Sequence, residues 1–383
     1  MNRREFLRAT ACGGMLTLAP GLACAAAPSA SARLLILIEL KGGNDGLNTV
    51  IPYADPAYYA ARPKLAIARD QVVQLDERTG LHPALSPLLP LWQDGRLALV
   101  QGLGYPKPNL SHFRSIEIWD TASDSDTTLQ SGWLTRQFAA RPLPAEFVAD
   151  GVLVGSPELG PLDGGARALV LQSTDAFVQQ AKLANDMAAG APNAALAHLL
   201  KVEADIRLAA KGLAVGGKLQ TAFPDNGFGK TVKVAMDALA ANRNIGVLRL
   251  TLGSFDTHVN QRPQQERLLG ELAQGLVAMQ AALTELGRWQ DALIFSYAEF
   301  GRRPYENESG GTDHGTANVH FALGGAVRGG LYGKRPDFAD LDGGNLRAAV
   351  DFRQLYASAC RFCWGSDGVA SLGRQFAPLP IVA

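Results

Sequence analysis

The chain has 383 residues, 47% apolar and 19% charged, an ordinary globular composition that is long enough for one large α/β domain or two smaller ones. Its 36 basic and 36 acidic residues cancel, aromatic residues make up 7%, and no basic stripe is present. That balance gives no electrostatic case for nucleic acid or for an anionic membrane surface.

Residues 1–27 read as targeting, not fold. Arg3 and Arg4 stand just before Phe6 and Leu7, an apolar stretch runs from Ala9 to Leu22, and small residues follow at Ala23-Cys24-Ala25-Ala26-Ala27. This is the charged, apolar, small-residue order of a signal peptide, and the arginine pair marks the twin-arginine route. The apolar run is too short, and too rich in Gly and Ala, for a stable span, so the mature protein is expected to have no transmembrane segment. A lipoprotein anchored at Cys24 and a disordered basic tail are the competing readings. Removing the segment takes away three arginines and one glutamate, leaving a net charge of −2. The expected location is the periplasm or the exterior, reached through the twin-arginine translocon.

The mature chain, residues 28–383, opens with Leu34–Leu40, a nearly continuous apolar run closed by Lys41-Gly42-Gly43-Asn44-Asp45-Gly46. A run buried on both faces and ended by a Gly-rich turn is how a central parallel strand and its exit loop read. Similar units recur at Arg96–Gln101, at Gly246–Leu252 before Ser254 and Asp256, and at Asp291–Tyr297 before Glu299. Helical patterns lie between and after them, at Ala194–Gly212, at Gln264–Leu286 with Leu268, Leu272, Leu276 and Leu283 on one side, and at Val350–Phe362. Strands alternating with helices argue for an α/β/α arrangement of three layers around a largely parallel sheet in a single domain. Residues 120–225 carry weak strand signals and read as a cap or insertion. The mature chain keeps two cysteines, Cys360 and Cys363, as C-x-x-C at the end of a helical pattern; a structural pair, free or bridged, is the favoured reading over redox exchange.

In open α/β sheets ligands bind beyond the carboxyl ends of the strands. The polar residues that follow the strand candidates are Asp45, Asp256 with His258, and Glu299; just beyond come Asp313 and His314 in a Gly-rich stretch, and then His320. Carboxylates with imidazoles suit zinc or manganese, or magnesium or calcium where oxygens dominate. Asp45, Asp256, His258, Asp313, His314 and His320 form a sufficient ligand inventory for a divalent metal site, with His112, Glu299 and Arg302 in support. Ser111 is the candidate nucleophile and Thr49 the fallback; no G-x-S-x-G elbow exists. Each has a plainer reading. Asp45 and Asp256 suit turns, Ser111 a helix N-cap, His320 the core, and Glu299 a surface pair with Arg302 or Arg303.

These motifs resemble the domain of unknown function 1501 family of twin-arginine-exported proteins. The matching stretches are Lys41 to Thr49, Leu81-His82-Pro83-Ala84-Leu85, Ser111-His112-Phe113, Gly132 to Arg136, Phe255-Asp256-Thr257-His258, Glu299-Phe300-Gly301-Arg302 and Thr312-Asp313-His314-Gly315. More distantly, their order is similar to the alkaline phosphatase and sulfatase superfamily. That resemblance implies an alkaline-phosphatase-like fold, Asp45 as the early metal carboxylate, Ser111 as nucleophile, Asp256 with His258 and Asp313 with His314 as ligand pairs, and His320 as the last ligand. The implied function is hydrolysis of phosphate or sulfate esters on a small molecule or a glycan. One alternative is a non-catalytic envelope protein with a degenerate hydrolase fold that binds a partner or glycan; another is a metal-free serine hydrolase using Ser111 and His112.

Overall fold

The computed structural model describes residues 33–181, 210–213 and 217–382. The segment read as a signal, with Cys12 and Cys24, as well as His198 and most of the helix expected at Ala194–Gly212, lies outside them. Among the described residues no helix is long and apolar enough to cross a membrane.

A nine-stranded sheet organises the chain. Its strands are β1 (Leu34–Leu40), β2 (Leu97–Gly104), β3 (Ala149–Val154), β4 (Ala168–Leu171), β5 (Ile245–Leu252), β6 (Ala292–Tyr297), β7 (Asn318–Leu323), β8 (Gly330–Gly333) and β9 (Val350–Asp351). The spatial order is β8-β2-β7-β6-β1-β5-β3-β4, with β9 beside β2. The first apolar run of the chain is thus the central strand, parallel to β5 on one side and to β6 on the other. Strand β7 departs from the parallel expectation, running antiparallel to both β2 and β6. Strands β3 and β4 fall inside residues 120–225, the segment read as a cap or insertion, and extend the same sheet in parallel beyond β5.

Successive side chains of a strand point to opposite faces, so a run apolar at every position demands cover on both sides. Leu34, Ile36, Ile38 and Leu40 pack with helices α3 (Gly227–Ala241) and α4 (Gln261–Glu285). Leu35 and Leu37 pack with α1 (His112–Thr121), α2 (Trp133–Ala140) and α5 (Phe352–Trp364). The result is the expected three layers. Cys360 and Cys363 sit buried in α5 as free thiols, and burial pushes the Cys360 thiol up to about 12. They are core packing groups.

The three parallel strands β6, β1 and β5 lie side by side and end together. Their exit loops carry Glu299, Gly42 and Asp256 respectively, which places all three at one edge of the sheet.

Candidate metal centre

Asp256 is the hub. Its Oδ1 lies 3.0 Å from His258 Nε2 and 3.3 Å from His314 Nε2, and those two ring nitrogens are 2.9 Å apart. Its Oδ2 lies 3.4 Å from His112 Nε2. His112, Asp256 and His314 each offer one ligand atom, all within 4.8 Å of one another.

Three separate pieces of chain are needed to gather these groups. His112 stands in the first turn of α1, with Ser111 as its N-cap residue. Asp256 and His258 follow β5. His314 ends a short hairpin in which Arg302–Glu306 pairs with Thr312–His314, and the pairing sets Arg302 directly opposite His314. Two glycines allow this convergence. Gly42 has φ +113°, and a side-chain carbon there would fall 2.4 Å from the Asp256 amide nitrogen; one at Gly311 would fall 2.2 Å from the carbonyl carbon of His258.

The imidazoles share an orientation. His112 Nδ1 lies 2.8 Å from Glu299 Oε1, His314 Nδ1 lies 2.8 Å from the Leu110 carbonyl oxygen, and His258 Nδ1 faces Asp313 Oδ1 at 3.5 Å. An acceptor at every Nδ1 fixes each ring and turns its Nε2 edge toward Asp256. Phe300 supports the rings, its centroid 4.4 Å from that of His314 and 4.9 Å from that of His112.

Arg302 is fully buried and spends its donors on structure. It donates to the carbonyls of Gly43 at 2.7 Å and Thr312 at 2.8 Å, and to Asp256 Oδ1 at 2.6 Å. Burial raises the Asp256 carboxyl, but the Arg302 pair and the neighbouring imidazoles outweigh it and hold the group below the usual carboxylate range. Burial lowers His314, with the Leu110 carbonyl bond opposing, so its ring is held neutral to lower pH. The Glu299 hydrogen bond raises His112, against its partial burial. The hydrogen bond from Asn307 lowers Asp313.

Several residues expected at the site lie elsewhere. Asp45 is buried, its Oδ1 accepting from Arg62 Nη2 at 2.9 Å and its Oδ2 from Gln261 Nε2 at 2.6 Å, so both oxygens are engaged in a closed internal network. Thr49 is buried beside it, its hydroxyl donating to the Asp45 carbonyl at 2.7 Å, which corrects its reading as a nucleophile. His320 lies in β7, where every residue is buried. Its Nδ1 is 3.3 Å from Ser296 Oγ and its ring meets Trp119 edge-on at 5.4 Å. Burial lowers it to about 3, so it is a neutral core group rather than the last ligand. Asp313 reaches the Nδ1 side of His258, away from Asp256. Ser111 is exposed beside His112, and its side chain makes no capping bond.

Asn307 was not singled out in the sequence. Its side-chain nitrogen donates to the His258 carbonyl at 2.9 Å and to Asp313 Oδ1 at 3.3 Å, while its oxygen accepts from the Ser309 and Gly311 amides at 3.0 Å. The Asn-x-x-Gly spacing of a turn was the available signal. Gln261 was equally silent, being one polar residue in the first turn of α4.

Beside the cluster opens a cleft of about 770 Å³, bordered by His112, Asp256 and Glu299 at one end and by Glu39, Asp120 and Gly160 along its wall.

No curated protein matches the chain. Among solved structures it is similar to the C-terminal periplasmic domain of EcEptC from Escherichia coli, at 9% identity over 89% of this chain and 86% of that one, with a TM-score of 0.38. It is likewise similar to the PsFucS1 sulfatase from Pseudoalteromonas sp., at 12% identity over 92% and 72%, TM-score 0.38. The alkaline phosphatase from the Antarctic bacterium TAB5 overlaps at 11% identity over 79% and 94%, TM-score 0.33. The family model for proteins of unknown function DUF1501 matches residues 98–362, and the chain belongs to that family.

Proposed function

We propose that the protein is an exported metal-dependent hydrolase of phosphate or sulfate esters, with Asp256, His258 and His314 holding a divalent cation, zinc or manganese. One observation carries this reading: three imidazoles keep Nδ1 on an acceptor and present Nε2 to a single carboxylate. The donor set fits. Around zinc, ligands at 2.0–2.1 Å in a tetrahedron lie about 3.3–3.4 Å apart. The three edges here are 2.9, 3.0 and 3.3 Å, close to the spacing that three ligands of one such ion would have. Asp256, Glu299 and Asp313 outnumber Arg302 and Arg303 around them, an acidic excess that suits a cation.

The cation would polarise the ester and offset charge building on its non-bridging oxygens. The protein supplies the rest. Arg302 fixes Asp256 and keeps it ionised. Glu299, anchored by the amides of Gly42 and Gly43 at 3.0 to 3.2 Å, fixes His112. His112 is then the group placed to take a proton from an attacking water and return it to the leaving oxygen. The exposed rims of His258 and Asp256 leave room for a small-molecule or glycan ester.

Elemental analysis and zinc titration of the mature protein test this, with hydrolysis of aryl phosphate and aryl sulfate esters measured with and without chelator. One metal per chain, lost together with chelator-sensitive hydrolysis in His258→Ala with His314→Ala, is the expected result. A metal-free wild type whose properties the double variant leaves unchanged would favour the non-catalytic envelope reading instead.

A further inference from the structure

The cleft beside the metal centre is lined on its inner wall by polar atoms with nothing to bind. Glu39 is completely buried near the end of β1. Its Oε2 accepts from Arg249 Nη2 at 2.7 Å and from Thr251 Oγ1 at 3.0 Å, yet its Oε1 has no partner among the described residues. Asp120, on α1, has its Oδ1 shielded from solvent and likewise without a partner. Both residues border the cleft. Arg249 commits three of its five N–H bonds, Nε to the Tyr297 hydroxyl at 2.8 Å, Nη1 to the Glu158 carbonyl at 2.6 Å and Nη2 to Glu39 Oε2, and the remaining two reach neither Glu39 Oε1 nor Asp120 Oδ1.

A buried carboxylate oxygen left without a donor costs on the order of 1–3 kcal/mol or more, so two of them facing one cavity mark a place completed by a ligand. We propose that Glu39 and Asp120 form a subsite for a primary ammonium group, and that the ester processed at Asp256 belongs to an amine-bearing molecule. This names a substrate class for the proposed hydrolase and rests on that reading.

Charge and donor count select the ligand. Two carboxylates against one guanidinium leave −1, which a monocation neutralises and a divalent ion overshoots. Calcium in addition takes 6–8 oxygens, far more than the two free ones here. A hydroxyl brings one donor and no charge; an ammonium brings three donors and one charge. Lys41, which also borders the cleft, is bound at the rim by Glu158 Oε2 at 2.6 Å. Burial, only partly offset by Arg249, pushes the Asp120 carboxyl up to about 8, so the −1 charge is reached when a cation bound beside it takes the place of its proton.

The dimensions set the molecule's length. His112 and Asp120 stand eight residues apart on α1, which at 1.5 Å per residue separates them by about 12 Å along the helix. The ammonium and the ester are therefore at opposite ends of the ligand or of one of its units, not on adjacent atoms.

Calorimetric titration of the mature protein with aminoalkyl phosphates of graded chain length, against alkyl phosphates of the same lengths, tests the subsite. The expected result is an amine preference of about tenfold or more, peaking at one of the longer chains. Asp120→Asn should abolish the preference while leaving alkyl phosphate binding unchanged. Asp120 Oδ1 holds no hydrogen bond that the change would break, so the fold tolerates it; Glu39→Gln, which loosens a buried pair, serves as the second variant. Equal binding of amine and alkyl series overturns the proposal, as does calcium competing for the same place. A long-chain alkylammonium without phosphate separates the two readings. If it binds the wild type but not Asp120→Asn while no phosphate ester binds, the amine subsite stands and the ester centre fails.

Discussion

Asp45 and Asp256 follow neighbouring parallel strands and leave the sheet at the same edge, yet they have come to opposite ends. The Asp45 side chain is 1% exposed and closed in by Arg62 and Gln261, whereas that of Asp256 is 45% exposed and faced by three imidazoles. Each has one arginine. Arg62 donates to both oxygens of Asp45. Arg302 takes one oxygen of Asp256 and leaves the carboxylate open on its solvent side. The topological rule finds the edge of the sheet where chemistry occurs; burial and the count of committed oxygens decide which acid there is scaffold and which is free to act.

If that division is right, the two acids fail in different ways. The largest effect is expected from Arg62→Ala, which strands a buried carboxylate: a loss of about 3–5 kcal/mol in urea unfolding, with zinc affinity of the surviving folded protein unchanged. Asp256→Ala should reverse the pattern. Zinc affinity by calorimetry should fall by more than about 100-fold, while stability in chelator drops by less than in Arg62→Ala, about 1–3 kcal/mol, because the buried Arg302 keeps its carbonyl partners. An Asp256→Ala protein that unfolds as readily as Arg62→Ala would erase the distinction. Glu299→Gln sharpens it one layer out: it keeps an acceptor for the Gly42 and Gly43 amides but no longer holds His112 as an anion, and about 10–100-fold in metal affinity or activity should go.

The smallest effect concerns histidines away from the cleft. Burial lowers His82 to about 4 and His320 to about 3. The folded protein refuses protons that the unfolded chain accepts below its ordinary histidine pKa of about 6.5, so stability contributed by the neutral rings is complete above that pH and falls as pH drops toward 4. Replacing His320 with Leu should flatten the slope of unfolding free energy against pH in that window by up to about 1.4 kcal/mol per pH unit. An unchanged slope would show that the ring is not isolated from solvent.

The sheet's central strands were legible because their signal is local. Leu34–Leu40, Ile245–Leu252 and Ala292–Tyr297 are apolar at almost every position, and each expected run lies within one residue of the strand found. Strand β7 was missed, although Asn318-Val319-His320-Phe321-Ala322-Leu323 is mostly apolar, because its histidine invited a chemical reading. At the cleft, the residues with imidazole or carboxylate in Gly-rich settings were found, since a close backbone approach leaves glycines behind. The sorting of Asp45 from Asp256 was not legible, because Arg62 and Gln261 reach Asp45 from distant segments and neither sits in a motif. Glu39 and Asp120 hid for the opposite reason, lying inside a strand and a helix whose patterns called for nothing more.

The wiring of β1 bears on how the molecule is made. Leu35 is laid against Val247 on one side and Leu293 on the other, so the first strand to be synthesised waits more than two hundred residues for either neighbour. Until either neighbour is made, its six apolar residues have no partner strand to cover them. Folding of the central strand therefore waits until most of the chain has been made.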